Sequence, residues 1–228
     1  MKTYCGKIGK GIHGVRRMMF ILLAVVILPE LNPGNASAID ADDIVKRVQD
    51  RYKKIDNVAA DMEQVLFWKL TQAKDTTMGK IYLKKKDFFR WEIKNQTFVT
   101  DGNTVWTYSP VNNQTVIDRY RPTEDTFLPQ QFIFSFGKDY KAELAGEEKL
   151  DDKEFYVLIL RPVRPHDIVK RARVWVDKKN WLTQRIEYED INENLTTYNF
   201  TNIQFDKNLQ ANLFKFQSPP GTEIIDMR

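Results

Sequence analysis

The chain has 228 residues, 42% of them hydrophobic, with a formal net charge of +4 and a single cysteine, Cys5. Five of its 35 basic residues but only one of its 31 acidic residues lie within the first 38 positions, so the rest of the chain is formally neutral. The excess of basic residues over the whole chain is therefore no indication of nucleic-acid binding. Because residues 39–228 contain no cysteine, a disulfide framework is excluded there.

The N-terminal segment has the pattern of a secretory signal. Basic residues precede an unbroken apolar run at 18–28, which is too short to span a bilayer comfortably. The small residues Ala-Ser-Ala at 36–38 fit a cleavage site. We expect a signal peptide over 1–38, cleaved near Ala38–Ile39, and a single domain over 39–228; an uncleaved anchor is the alternative.

After this segment the pattern predicts one amphipathic helix and then strands. Apolar residues recur at helical spacing over 39–55, with acidic residues at its start and basic residues at its end. The stretch GKIYLKKKDFFRWEI at 79–93 reads as two strands, and alternation puts Phe89, Trp91 and Ile93 on one sheet face. Strands are predicted at 58–70, 77–84, 88–94, 98–100, 104–109, 114–118, 141–148, 154–161, 170–177, 183–189 and 196–205.

A Phe-rich segment interrupts this series of strands. Residues 126–140 carry six large apolar side chains, with a proline inside the segment and a glycine near its end, and predict a short apolar helix or helix-loop. Many antiparallel strands with two helical pieces indicate an α+β fold that is mainly antiparallel β, a curved sheet or barrel with helices.

Candidate catalytic groups are few. His166 is the only histidine after position 38 and lies in a proline-bounded loop, and with no cysteine there the common zinc sites are excluded. No nucleotide-binding loop or nucleophile elbow is present. The aromatic residues either fill a core or line a large apolar cavity, and the pattern alone leaves both open.

Five segments follow one another in order over nearly all of 39–228: ADMEQ at 60–64, the stretch at 79–93, VTDGNTVWTYSP at 99–110, DKKNWLTQRIEYED at 177–190 and FKFQSPPGTEII at 214–225. Together they resemble the periplasmic outer-membrane lipoprotein carrier proteins of the LolA family. The chain departs from the family at Met62, where an aromatic is usual, and at 85–86, where the family often has Arg-Pro.

The resemblance implies an incomplete, half-open β-barrel with a helical lid over a hydrophobic cavity, which binds the acylated N-terminus of a lipoprotein. Lys85 stands where the family has an arginine implicated in holding the lid closed and in handing cargo onward. Lysine keeps the charge but not the planar fork. The expected cavity residues are Phe89, Trp91, Ile93, Trp106 and Tyr108, and the expected lid residues are Phe127, Leu128, Phe132, Ile133 and Phe134.

By this resemblance the protein is a periplasmic carrier of a Gram-negative bacterium and not an enzyme, a monomer without cofactor. Its partners would be acylated lipoproteins, an inner-membrane ABC-type lipoprotein-releasing complex as donor and an outer-membrane acceptor lipoprotein. The alternatives are a carrier of another amphiphile such as a glycolipid, a lipoprotein-sensing regulatory module, and a hydrolase.

Overall fold

Twelve strands form one sheet in the computed structural model, which describes residues 39–85, 87–121, 140–163 and 169–228. The strands are β1 (Asn57–Phe67), β2 (Lys74–Lys84), β3 (Phe88–Ile93), β4 (Gln96–Asp101), β5 (Thr104–Ser109), β6 (Gln114–Arg119), β7 (Tyr140–Leu150), β8 (Lys153–Pro162), β9 (Val169–Asp177), β10 (Thr183–Asp190), β11 (Leu195–Phe205) and β12 (Glu223–Asp226). The helical elements are α1 (Ala41–Lys53) and a 3₁₀ turn (Ala211–Phe214).

The sheet is open. Its order is β12-β6-β5-β4-β3-β2-β1-β11-β10-β9-β8-β7, so β12 and β7 lie at its two ends. Neighbours are antiparallel except for the parallel pair β6 and β12. The prediction of a mainly antiparallel, unclosed sheet with a helix is confirmed. The helical segment expected over 126–140 lies outside the described residues, except for Tyr140, which begins β7.

Helix α1 lies within the predicted range 39–55 and is two residues shorter at each end. Asp40 caps it by accepting a hydrogen bond from the Asp43 amide at 2.8 Å, and the last turn carries Arg51 and Lys53 at the negative end of the dipole. Its buried side chains, among them Ile44 and Val48, pack with one face of the sheet. We call that face the inner face and the opposite one the outer face.

The main core lies between α1 and the inner face. Among the described residues, its buried members run from Ile44 in α1 to Phe200 in β11, and Ala38–Arg228 is one compact unit. In β1, β2 and β3, alternation directs the apolar set inward, as in the row Val58, Leu83 and Phe89. On β8 and β9 a second, smaller cluster of Phe155, Val157 and Trp175 is buried on the opposite face.

The C-terminal segment covers part of the outer face. Phe214 is buried against Phe88, with ring centroids 5.5 Å apart, and the Arg90 guanidinium donates to the Leu213 carbonyl at 3.1 Å. The chain then adds β12 beside β6. The sequence patterns predicted neither this layer nor the twelfth strand.

Candidate functional site

The inner face of β3 and β4 carries the aromatic wall expected from the sequence. The register places Phe89, Trp91 and Ile93 on this face, and Trp91 lies opposite Phe98 of β4. Phe89 is fully buried and meets the Phe98 ring edge-to-face at 5.6 Å. Trp91, Ile93 and Phe98 are only partly buried at the margin of the core, so they present apolar surface beyond it.

Trp106 and Tyr108, which were also expected to line the cavity, belong to the other face of the sheet. Trp106 lies opposite Val99, and Val99 lies opposite Arg90, an outer-face residue. Tyr108 packs against the Phe216 ring of the C-terminal segment at 5.4 Å. Tyr108 therefore helps to hold that segment on the sheet.

A second aromatic row on the inner face went unpredicted. Tyr188, Tyr198 and Phe200 stack in series on β10 and β11, with successive ring centroids 6.4 Å apart. Tyr198 accepts a hydrogen bond from the Gln64 amide at 3.1 Å, and burial raises the pKa of its phenol, so the hydroxyl stays protonated at neutral pH. The alternation of Tyr198 and Phe200 along β11 was the available signal.

Trp91 also has an unused polar group. Its indole Nε1 is buried and has no hydrogen-bond partner among the described residues. A buried donor left without an acceptor costs about 1–3 kcal/mol. An acceptor brought by a ligand would relieve this cost, while the ring itself offers apolar surface.

Lys85 lies in the turn between β2 and β3 and contacts the C-terminal end of α1. Its ammonium donates to the Lys53 carbonyl at 3.0 Å and to the Asp56 carboxylate at 2.7 Å. The hydrogen bond and the charge of Lys85 hold the pKa of the Asp56 carboxyl below its usual range. Lys85 therefore joins a sheet turn to the helix over the inner face, whereas the predicted lid residues Phe127, Leu128, Phe132, Ile133 and Phe134 lie outside the described residues.

The outer face of β9 and β10 shows charges rather than a reactive group. Glu189 is paired with Lys170 at 2.9 Å and with Arg171 at 2.6 Å, and these hydrogen bonds hold its pKa below the usual range. Within the described ranges, no cluster of His, Cys, Asp and Glu could hold a metal ion. In the same ranges, no helix has the length and hydropathy needed to cross a bilayer. The inner face is the better candidate site.

Comparisons with known proteins identify the family to which the chain is similar. The family model described as "Outer membrane lipoprotein carrier protein LolA" matches residues 53–217. An outer-membrane lipoprotein carrier protein of Francisella philomiragia is 27% identical over 217 residues, which cover 92% of this chain and 98% of the relative.

Two uncharacterized proteins are also similar. One, from Methanocaldococcus jannaschii, is 24% identical over 208 residues that cover 90% of this chain, and the chain spans 59% of that relative's length. The other, from Thermus thermophilus, has a crystal structure that superposes with a TM-score of 0.55 at 15% identity, covering 81% of this chain and 98% of its own. The second match shows a shared fold.

Proposed function

Because the chain belongs to the LolA family of outer membrane lipoprotein carrier proteins, we propose that it binds the acyl chains of lipoproteins on its inner face and carries them to the outer membrane. Carriers of this family are not enzymes. In this proposal the protein works in the periplasm, after loss of the predicted signal over 1–38. It takes cargo from an ABC-type lipoprotein-releasing complex and gives it to an outer-membrane acceptor lipoprotein.

The partly exposed apolar wall of Trp91, Ile93 and Phe98 is the observation that supports this function most directly. A triacylated cysteine carries about 40 methylenes, and exposing them to water costs on the order of 30 kcal/mol. Cargo of this kind needs a large apolar surface throughout its transit. Rigid aromatic side chains suit the task because they lose little conformational entropy when a ligand binds.

A release assay tests the proposed function. Purified residues 39–228 are added to spheroplasts of the host, and the supernatant is examined for lipoproteins in complex with the protein. We expect soluble complexes that are absent without the carrier. If no lipoprotein is released but mass spectrometry finds another lipid bound to the purified protein, the cargo is a different amphiphile and the lipoprotein assignment is wrong.

The indole of Trp91 predicts a preference for lipids with a carbonyl near the acyl chains. We expect an ester-linked dioleoylglycerol to bind roughly three- to tenfold more tightly than its dialkyl ether counterpart, the size of one neutral hydrogen bond. Trp91→Phe keeps most of the ring and removes the N–H, so it should abolish the preference and leave binding of the ether nearly unchanged. Competition against a fluorescent fatty acid measures both affinities. If Trp91→Phe still prefers the ester as strongly as the original chain does, the prediction is contradicted.

We propose that Lys85 regulates cargo transfer through its contacts with the end of α1. Lys85→Met removes the hydrogen bonds to Lys53 and Asp56, and because the pair is solvent-exposed, the melting temperature should stay unchanged. We expect the variant to bind cargo normally but to deliver it to acceptor membranes more slowly, with Lys85→Arg restoring the rate. If Lys85→Met transfers cargo as fast as the original chain does, this role is contradicted.

A further inference from the structure

The turn between β9 and β10 holds Trp181 in an unusual backbone conformation. Its φ is +63°, in the left-handed region that bulky side chains rarely adopt. The Trp181 amide donates to the Asp177 carbonyl at 2.9 Å. The Asp177 carboxylate accepts from the amides of Lys179 at 2.8 Å and Asn180 at 3.2 Å. A strained conformation persists only where the surrounding structure enforces it, and these hydrogen bonds fix the turn around Trp181.

This conformation brings the Trp181 ring into contact with both α1 and the sheet. The ring stacks on Tyr156 of β8, with centroids 5.8 Å apart and planes inclined by 15°. The Arg47 guanidinium of α1 lies 4.8 Å from the centroid of the Trp181 ring, within the range of a cation–π contact. Trp181 thus joins the middle of the helix to β8 through one side chain.

The residues that follow Trp181 add a second attachment to α1. The Thr183 amide donates to the hydroxyl of Tyr52 in α1 at 3.3 Å, and both residues are buried. Leu182, between Trp181 and Thr183, belongs to the main core together with Val48 of α1. The chain that enters β10 therefore contacts α1 through aromatic, polar and apolar groups.

The apolar side of α1 makes undocking of the helix costly. Ile44 is 0% exposed, Val48 1% and Tyr52 5%. Lifting α1 from the inner face would expose these side chains and the core beneath them, at a cost comparable with the stability of a whole domain. The aromatic wall on β3 and β4, in contrast, lies at the margin of this core and is partly exposed. Apolar surface is thus available to a ligand without movement of the helix.

We propose that Trp181 is a clasp that keeps α1 docked on the inner face while acyl chains bind, so that the chains enter along the aromatic wall and not beneath the helix. The proposed function is the premise here, because the acyl chains are its ligand. Trp181 is a positioning residue, which acts through α1 and does not touch the cargo. Arg47 provides the contact from the side of the helix.

Hydrogen exchange of the α1 amides tests the clasp in the purified full chain without ligand. Trp181→Gly suits the backbone of the turn, since glycine adopts positive φ readily, and it removes the ring. We expect the α1 amides to exchange at least fivefold faster in this variant, relative to the amides of β3 and β4. Arg47→Met removes the charge and keeps an apolar stem, and should raise α1 exchange about two- to fivefold. Lys46→Met, which removes an exposed cation from the adjacent position, is the matched control and should leave exchange unchanged.

A covalent tether tests whether α1 stays docked during binding. The full chain has one cysteine, so Cys5→Ser gives a background without any. In that background Arg47→Cys and Trp181→Cys, at two positions whose side chains are in contact, are joined by a short bismaleimide. We expect the tethered protein to bind a fluorescent fatty acid with an affinity within threefold of the original chain. The same variant without the linker controls for the substitutions.

The outcomes separate the clasp from the proposed function. If the linker weakens binding more than threefold relative to the protein without it, α1 has to move and the clasp is wrong. It is equally wrong if Trp181→Gly leaves α1 exchange unchanged, or if Lys46→Met accelerates exchange as much as Arg47→Met. If the original chain binds no fatty acid, the proposed function fails and the clasp fails with it.

Discussion

Gly79→Ala is expected to lower the free energy of unfolding by roughly 2–4 kcal/mol. Gly79 lies on β2 between Met62 of β1 and Ile93 of β3, and a Cβ at this position would overlap the Glu92 carbonyl oxygen and the Ile93 side chain. The carbonyl belongs to the neighbouring strand's backbone, which is held on both sides by the sheet. Relief requires strands to move apart, and overpacking of this kind is among the larger single-residue effects.

Denaturant unfolding followed by tryptophan fluorescence measures this change, and Gly221→Ala provides a contrasting control. Gly221 has φ +80 but nothing within 4 Å of a Cβ, so only backbone strain of about 1–2 kcal/mol applies there. Gly79→Ala should be the more destabilising of the two variants. A midpoint for Gly79→Ala equal to that of the original chain would mean that the strands accommodate a methyl group.

The elements of the fold could be predicted because their signals are local. Charges at both ends and apolar residues at helical spacing marked α1, and period-two alternation placed Phe89, Trp91 and Ile93 on one face. Each of these inferences uses residues within one element or one hairpin. For the same reason, the eleven strands from β1 to β11 were each predicted at about their observed place along the chain.

The face of the sheet on which Trp106 and Tyr108 of β5 lie could not be predicted from such local signals. Trp106 and Tyr108 alternate as a strand requires, but alternation does not say which set faces the helix. The residues that decide it are distant in sequence, because Phe216 covers Tyr108 and Ser218 bonds to Thr115 on the same face. From the sequence, the large side chains of Trp106 and Tyr108 were assigned to the cavity. In the structure they lie on the outer face, where Tyr108 packs against Phe216 of the C-terminal segment.

The inner-face row of Tyr188, Tyr198 and Phe200 was missed for a similar reason. Gln64 and Tyr198 are 134 residues apart, and only the pairing of β1 with β11 brings them together. In sequence, β10 and β11 read as ordinary late strands. Their contribution to the site follows from sheet order, which the local pattern does not contain.

Trp91→Glu is expected to reduce lipoprotein release from spheroplasts at least tenfold. The substitution places a carboxylate on the partly exposed apolar wall beside Ile93 and Phe98. Acyl chains packed there would strip water from the charge, and desolvating an unpaired carboxylate costs more than the lost ring contacts. The supernatant complex in the release assay measures the loss, with circular dichroism and melting temperature recorded for the same preparation.

Trp106→Glu separates loss of cargo contact from loss of stability. Both tryptophans are partly buried on the same half of the sheet, two strands apart, and both substitutions remove a ring and add a charge. Trp106 faces outward, so its replacement should weaken the fold there while release per folded molecule is retained. Release is compared per folded molecule of each variant. If Trp91→Glu and Trp106→Glu then lose the same fraction of lipoprotein release, the inner face is not the cargo surface.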